Sequence, residues 1–147
     1  MKKIIIILIF LHQIHELIGS EKLTKDIKLK IMRRFFIPSP TTNPIHFIAS
    51  QGYTALLKAL IESGDYHVDQ SDELERTPLH YAALNGKSQT VRTLLGLGAE
   101  PYVKDLAGKI PADLAALNGH HEISTELIIS TGLKFLNDVA SASDLDE

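Results

Sequence analysis

Three segments of this chain recur at a period of 33 or 34 residues, and that period constrains the fold more than any other feature. They are N-P-I-H-F-I-A-S-Q-G at 43–52, T-P-L-H-Y-A-A-L-N-G at 77–86 and I-P-A-D-L-A-A-L-N-G at 110–119. Pro44, Pro78 and Pro111 keep the spacing, as do Gly52, Gly86 and Gly119. Gly64 and Gly98 lie 34 apart, whereas Asp72 and Asp105 lie 33 apart. One extra residue therefore falls between Gly64 and Asp72, most simply within Asp65–His67. An insertion there predicts a loop.

Each unit reads as a pair of short helices. Thr77 is placed as an N-cap, and Pro78 sits at the first helical position, where its missing N–H is harmless. Leu79, Ala82 and Ala83 form a short apolar face whose alanines let a neighbouring helix come close. Gly86 ends that helix in the left-handed conformation. Val91, Leu94 and Leu95 then mark a second helix at helical spacing. Gly98-Ala99-Glu100-Pro101 ends it, and the chain extends through the turn formers Asp105 and Gly108 into the next unit.

T-P-L-H-Y-A-A-L-N-G followed by G-L-G-A-E-P resembles the ankyrin repeat, and the resemblance covers roughly residues 43–130. Asn43 and Ile110 depart from the family's threonine, Asp113 from its histidine and Ile48 from its first alanine, while Glu75 stands where Gly108 stands one unit on. The resemblance implies an all-α solenoid of helix–turn–helix units, each with a hairpin loop, at 43–75, 76–108 and 109–132. It also implies non-catalytic binding of another protein through the concave face made by the hairpins and inner helices. The family's contact positions fall on Glu73, Leu74, Arg76, Leu84 and Asn85 in the second unit. In the third they fall on Leu106, Ala107, Lys109, Leu117 and Asn118, and in the first on Thr42, Ser50 and Gln51. Four leucines on a face expected to meet water point to an interface. For Leu74 and Leu106, packing between adjacent hairpins is the equal alternative.

The ends read less simply. Residues 1–40 carry eight Lys/Arg against three acidic side chains, while residues 41–147 carry seven against fifteen, local balances of +5 and −8. Met1-Lys2-Lys3 and the apolar run 4–11 have the form of a secretory signal peptide. Yet Gly19 precedes Gly52 by 33 residues, on the repeat grid, so residues 1–20 are also readable as part of a degenerate capping repeat. Residues 21–42 then give a basic amphipathic helix and loop, with Leu23, Ile27, Ile31 and Phe35 along one stripe. Such a helix either caps the stack or meets an anionic membrane or a partner helix. At the other end, Ile123, Leu127 and Ile128 continue a helix. Residues 133–147 are expected as a cap, with Leu133, Phe135, Leu136 and Val139 covering the last unit, followed by an acidic tail that frays.

Several chemistries find no support. The chain has no cysteine, which removes disulfides and thiolate chemistry. A formal net charge of −3 and 6% aromatic residues argue against a nucleic-acid partner. No nucleophile elbow, phosphate loop or dinucleotide motif occurs. His46, His80 and His120 occupy repeat-motif positions and read as structural, so no metal, cofactor or catalytic residue is expected. Location inside the cell is expected, with secretion through residues 1–20 the alternative. An effector delivered by that segment, and a structural subunit docking in a larger assembly, are the competing functions; the oligomeric state stays open.

Overall fold

A computed structural model describes residues 13, 16–20, 24–35 and 43–143. The described elements are α1 (Lys25–Phe35), α2 (Pro44–Gln51), α3 (Thr54–Glu62), α4 (Pro78–Leu84), α5 (Ser88–Gly96), α6 (Pro111–Leu117) and α7 (His121–Ser143). No strand occurs among the described residues, so the chain is all-helical as the repeats require. The apolar run 4–11, Leu23 and Thr42 lie outside the described residues.

Each inner helix starts by a different use of the same geometry. Asn43 caps α2 with its side-chain oxygen, which accepts the Ile45 amide at 3.2 Å. Before α4, the Thr77 amide donates to His80 Nδ1 at 3.1 Å. Before α6, Ile110 has no polar side chain, but its amide donates to Asp113 Oδ2 at 3.1 Å. Asp113 thus supplies the acceptor that histidine supplies one unit earlier, which explains that departure from the motif. Pro44, Pro78 and Pro111 each occupy the first helical turn.

Helix ends repeat as closely. Tyr53, Lys87 and His120 donate their amides back to Ile48, Ala82 and Ala115 across a left-handed glycine, at 3.1, 2.9 and 2.9 Å. The inner helices then stack in order, α2 on α4 and α4 on α6, with α3 packed on α5 outside them. Ala49, Ala82, Ala83 and Ala115 are fully buried between the inner helices. Leu57, Leu60, Val91, Leu94 and Leu127 fill the layer behind, giving one continuous core. Asp65–His67 lie in the loop after α3, where the inserted residue was expected.

Two expectations about the ends are corrected. On α1, Ile27 is 47% exposed, while Lys28 is buried and Ile31 packs against the core. The inward face therefore runs one position round from the expected stripe. Lys28 buries its stem and donates its ammonium to the Ser20 carbonyl, at the carboxyl end of helical residues 16–19. Ile18, within that segment, is fully buried in the core, and α1 packs on α2 and α3. At the other end, Ile123, Leu127 and Ile128 continue a helix as expected, but Leu133, Phe135, Leu136 and Val139, expected to cover the last unit, are all more than half exposed. They do not fold over the last unit, because α7 continues unbroken to Ser143.

Gly86 shows how tightly successive units fit. Its φ is 67°, and a Cβ there would stand 2.6 Å from His120 Cε1. Gly86→Ala is expected to destabilise the chain by about 1–3 kcal/mol through backbone strain and the clash. Urea unfolding measures this, and pairing it with His120→Ala should recover the steric part alone.

Candidate protein-binding surface

The hairpins between units are built by aspartates. Asp72 donates its amide to the Arg76 carbonyl at 3.0 Å, and its Oδ1 accepts the Leu74 and Arg76 amides at 2.9 Å each. Asp105 repeats the arrangement on Lys109 and Ala107, with all three contacts at 2.9 Å. A short acceptor side chain followed by a left-handed residue closes such a turn. That residue is Gly108 at φ 72° in one hairpin and Glu75 at φ 58° in the other. Glu75 is the only described non-glycine residue with positive φ.

Adjacent hairpins are then fastened together. The Leu106 amide donates to the Leu74 carbonyl at 3.0 Å, and Arg76 Nε donates to Asp105 Oδ2 at 3.0 Å. Tyr81 donates its hydroxyl to Asp72 Oδ2 at 2.6 Å. Burial first, and the bond to Asp72 second, raise the Tyr81 hydroxyl to about 12. Burial pushes the Asp105 carboxyl up, but the Lys109 amide, Arg76 and the Ala107 amide together outweigh it and hold it below the usual carboxylate value. Asp72, Asp105, Arg76 and Tyr81 are thus engaged from within the scaffold.

The histidines of the motif serve the same scaffold. His80 is fully buried, and its Nε2 donates to the Lys109 carbonyl at 3.2 Å while Nδ1 accepts the Thr77 amide. Those two backbone partners fix the neutral Nε2–H tautomer. His46 Nε2 donates to the Gln70 carbonyl at 2.7 Å, and its ring tilts against Tyr81 with centroids 5.4 Å apart. Burial lowers the pKa of both rings. Among the described residues no three His, Asp or Glu side chains converge to hold a metal ion.

The expected contact residues separate into two groups. Glu73, Leu74, Leu106, Ala107 and Lys109 are exposed together on the fastened hairpins, with Leu74 at 48% and Leu106 at 63%. The two leucines do not bury each other, although their backbones bond. Arg76 is half-buried and held by Asp105. Asn85 and Asn118 are exposed, but each donates Nδ2 to a carbonyl in its own helix, Tyr81 and Leu114. Ser50 is half-buried and bonds to Phe47, and Gln51 is exposed.

Leu84 and Leu117 occupy equivalent places yet differ. Leu84 is half-buried, not on a fully solvated face, while Leu117 is 69% exposed. Ala83 and Ala116 differ in the same sense, buried against exposed. The cause is position in the stack, since α6 covers α4, whereas α6 is packed by α7 behind it and no further inner helix lies on it among the described residues. Exposure of Leu117 therefore reflects its place on the last described inner helix. Sequence reading missed this distinction because both leucines sit in the same A-A-L-N-G segment.

Comparison with known proteins agrees with this architecture. A family model described as ankyrin repeats in three copies matches residues 13–105. The chain is 39% identical to dauer abnormal formation protein 25 of Caenorhabditis elegans over 74 residues, covering 50% of this chain and 19% of that one. It is 37% identical to human DNA-binding protein RFXANK over 75 residues, covering 51% of this chain and 29% of that one. The chain thus spans less than a third of these relatives. The human ASB11 ankyrin repeat domain superposes with a TM-score of 0.56 at 28% identity, covering 60% of this chain and 40% of that one. A chain from the complex of the Bd0816 predatory endopeptidase of Bdellovibrio bacteriovorus with immunity protein Bd3460 gives 0.57 at 27% identity, covering 60% and 46%.

The buried rings give the fold a pH dependence. Unfolded histidine titrates near 6.5, and both folded pKa values lie lower, so their contribution is complete above 6.5 and is lost as pH falls below it. Each histidine adds at most about 1.4 kcal/mol per pH unit. Asp72 and Asp105 contribute only through the range near 3.8, below this window. Urea unfolding should show stability falling between pH 6.5 and 5. His80→Gln should be less stable at pH 8 but fall less steeply; equal slopes would contradict this assignment.

Proposed function

Because the chain belongs to the ankyrin repeat family, we propose that it is a non-catalytic module that binds another protein through the hairpin and inner-helix face. Ankyrin repeats are in general protein-interaction modules and not catalytic centres, which is the background of this reading. One observation carries it: Leu74 and Leu106 stand exposed side by side on hairpins whose turn-forming aspartates and Arg76 are already bonded within the fold. An apolar pair on a rigid support loses little entropy when a partner covers it. Glu73 and Lys109 flank the pair and supply a charged rim of the kind that surrounds an interface core.

The partner is a protein rather than a nucleic acid. Residues 41–147 carry a net −8, which repels phosphate, and the basic excess is confined to residues 1–40. Leu74→Glu combined with Leu106→Glu should leave the thermal midpoint within a few degrees, because both sites face solvent. The same variant should lose at least tenfold in affinity for the partner identified by in-cell crosslinking of the unaltered chain. A folded variant with unchanged affinity would reject the hairpin face as the contact.

A further inference from the structure

The last helix carries a face that its own fold does not use. α7 buries Ile123 and Leu127 and half-buries Thr131 and Lys134 on one side, where Lys134 pairs with Glu100. Ile128, Ile129, Leu133, Leu136 and Val139 lie on the other side, each 53–64% exposed, and Phe135 borders them at 66%. In the middle unit the counterpart of Ile128 is Leu95, which packs against the core. There α5 stops at Gly96, the counterpart of Ile129, whereas α7 runs on to Ser143.

Gly132 sits in the middle of this apolar face. Glycine weakens a helix interior, and an added Cβ here would meet nothing within 4 Å. The monomer's own packing therefore gives no reason for it. A missing side chain on a helix face lets another helix approach closely. Ile129, Gly132, Leu136 and Val139 follow alternating three- and four-residue steps, the spacing of a helix–helix seam.

We propose that a second copy of this chain covers this face, with its α7 antiparallel to the first. In an antiparallel pair centred on position 134, Leu136 of the partner subunit enters the gap above Gly132, and Val139 of the partner subunit meets Ile129. Two-fold symmetry makes each of these contacts twice. Neither nearby carboxylate opposes the antiparallel sense, because Glu126 pairs with Arg92 and Asp138 lies on the Lys134 and Tyr102 side of the helix, away from the seam. Helix dipoles favour the same sense. The six large apolar side chains, each exposing on the order of 100 Å², offer about 600 Å² per chain. That is the upper end for a monomer's largest patch and most of the ~800 Å² per partner that a stable interface buries.

Sedimentation of the full chain at micromolar concentrations tests this. The unaltered chain should run at twice 16.3 kDa. Leu133→Glu with Leu136→Glu should run at 16.3 kDa with an unchanged helical circular-dichroism spectrum. Gly132→Leu should strengthen the isolated helix yet weaken the dimer at least tenfold, which separates seam contact from loss of folding. An unaltered chain that stays monomeric overturns the proposal and assigns the face to a different protein or to a further repeat. A dimer that persists in both variants overturns it too, by placing the contact elsewhere.

Discussion

The helices α2–α6 are seven to nine residues long, too short to persist alone in water, where about 12–15 residues are marginal. Each pair is also too thin to bury its own apolar stripe. Burial by the neighbouring unit is thus the constraint on which the remaining structure depends. It explains why the inner helices meet through alanines: Ala82, Ala83 and Ala115 are fully buried because the facing backbone comes close. It explains the polar ties as well. His80 reaches the Lys109 carbonyl and the Glu100 amide donates to Asp69 at 3.0 Å, each joining one unit to the next, while Arg76 reaches Asp105 from one hairpin to the other. A buried histidine or aspartate is costly unless bonded, and here the partners come from the neighbouring unit or hairpin.

Most of this frame was legible in the sequence because it is set by local rules repeated in register. The prolines mark helix starts, the left-handed glycines mark helix ends, and the broken spacing between Gly64 and Asp72 located the loop insertion. The departure at Asp113 was visible as a mismatch, but its meaning was not. Only the bond from the Ile110 amide shows that the carboxylate does the histidine's local task.

Exposure was less legible, for a physical reason. In a stack, a residue's burial depends on whether another unit follows, and identical segments give no sign of that. Leu84 and Leu117 have the same local sequence and differ because α6 lies against α4. Charge misled in a similar way on α1. The apolar stripe places Ile27 inward, yet Lys28 can bury its stem and still place its ammonium on the Ser20 carbonyl. On α7, apolar residues were read as a cap because apolar residues usually find cover, but a straight helix cannot fold back over its own unit.

The two ends of the stack are therefore chemically unlike. At the amino end, Ile18 and α1 close the core, with Lys25 paired to Asp65 and Lys28 turned inward. At the carboxyl end, Leu117 and the α7 face are left apolar and open. The exposed hairpin leucines belong to a third surface, carried by different elements from the α7 seam. A contact along α7 would leave Leu74 and Leu106 uncovered, and two copies joined there would present two hairpin rows at once. A partner with two matching sites would then gain from the second contact without any new chemistry in either unit, provided its sites match the span between the rows.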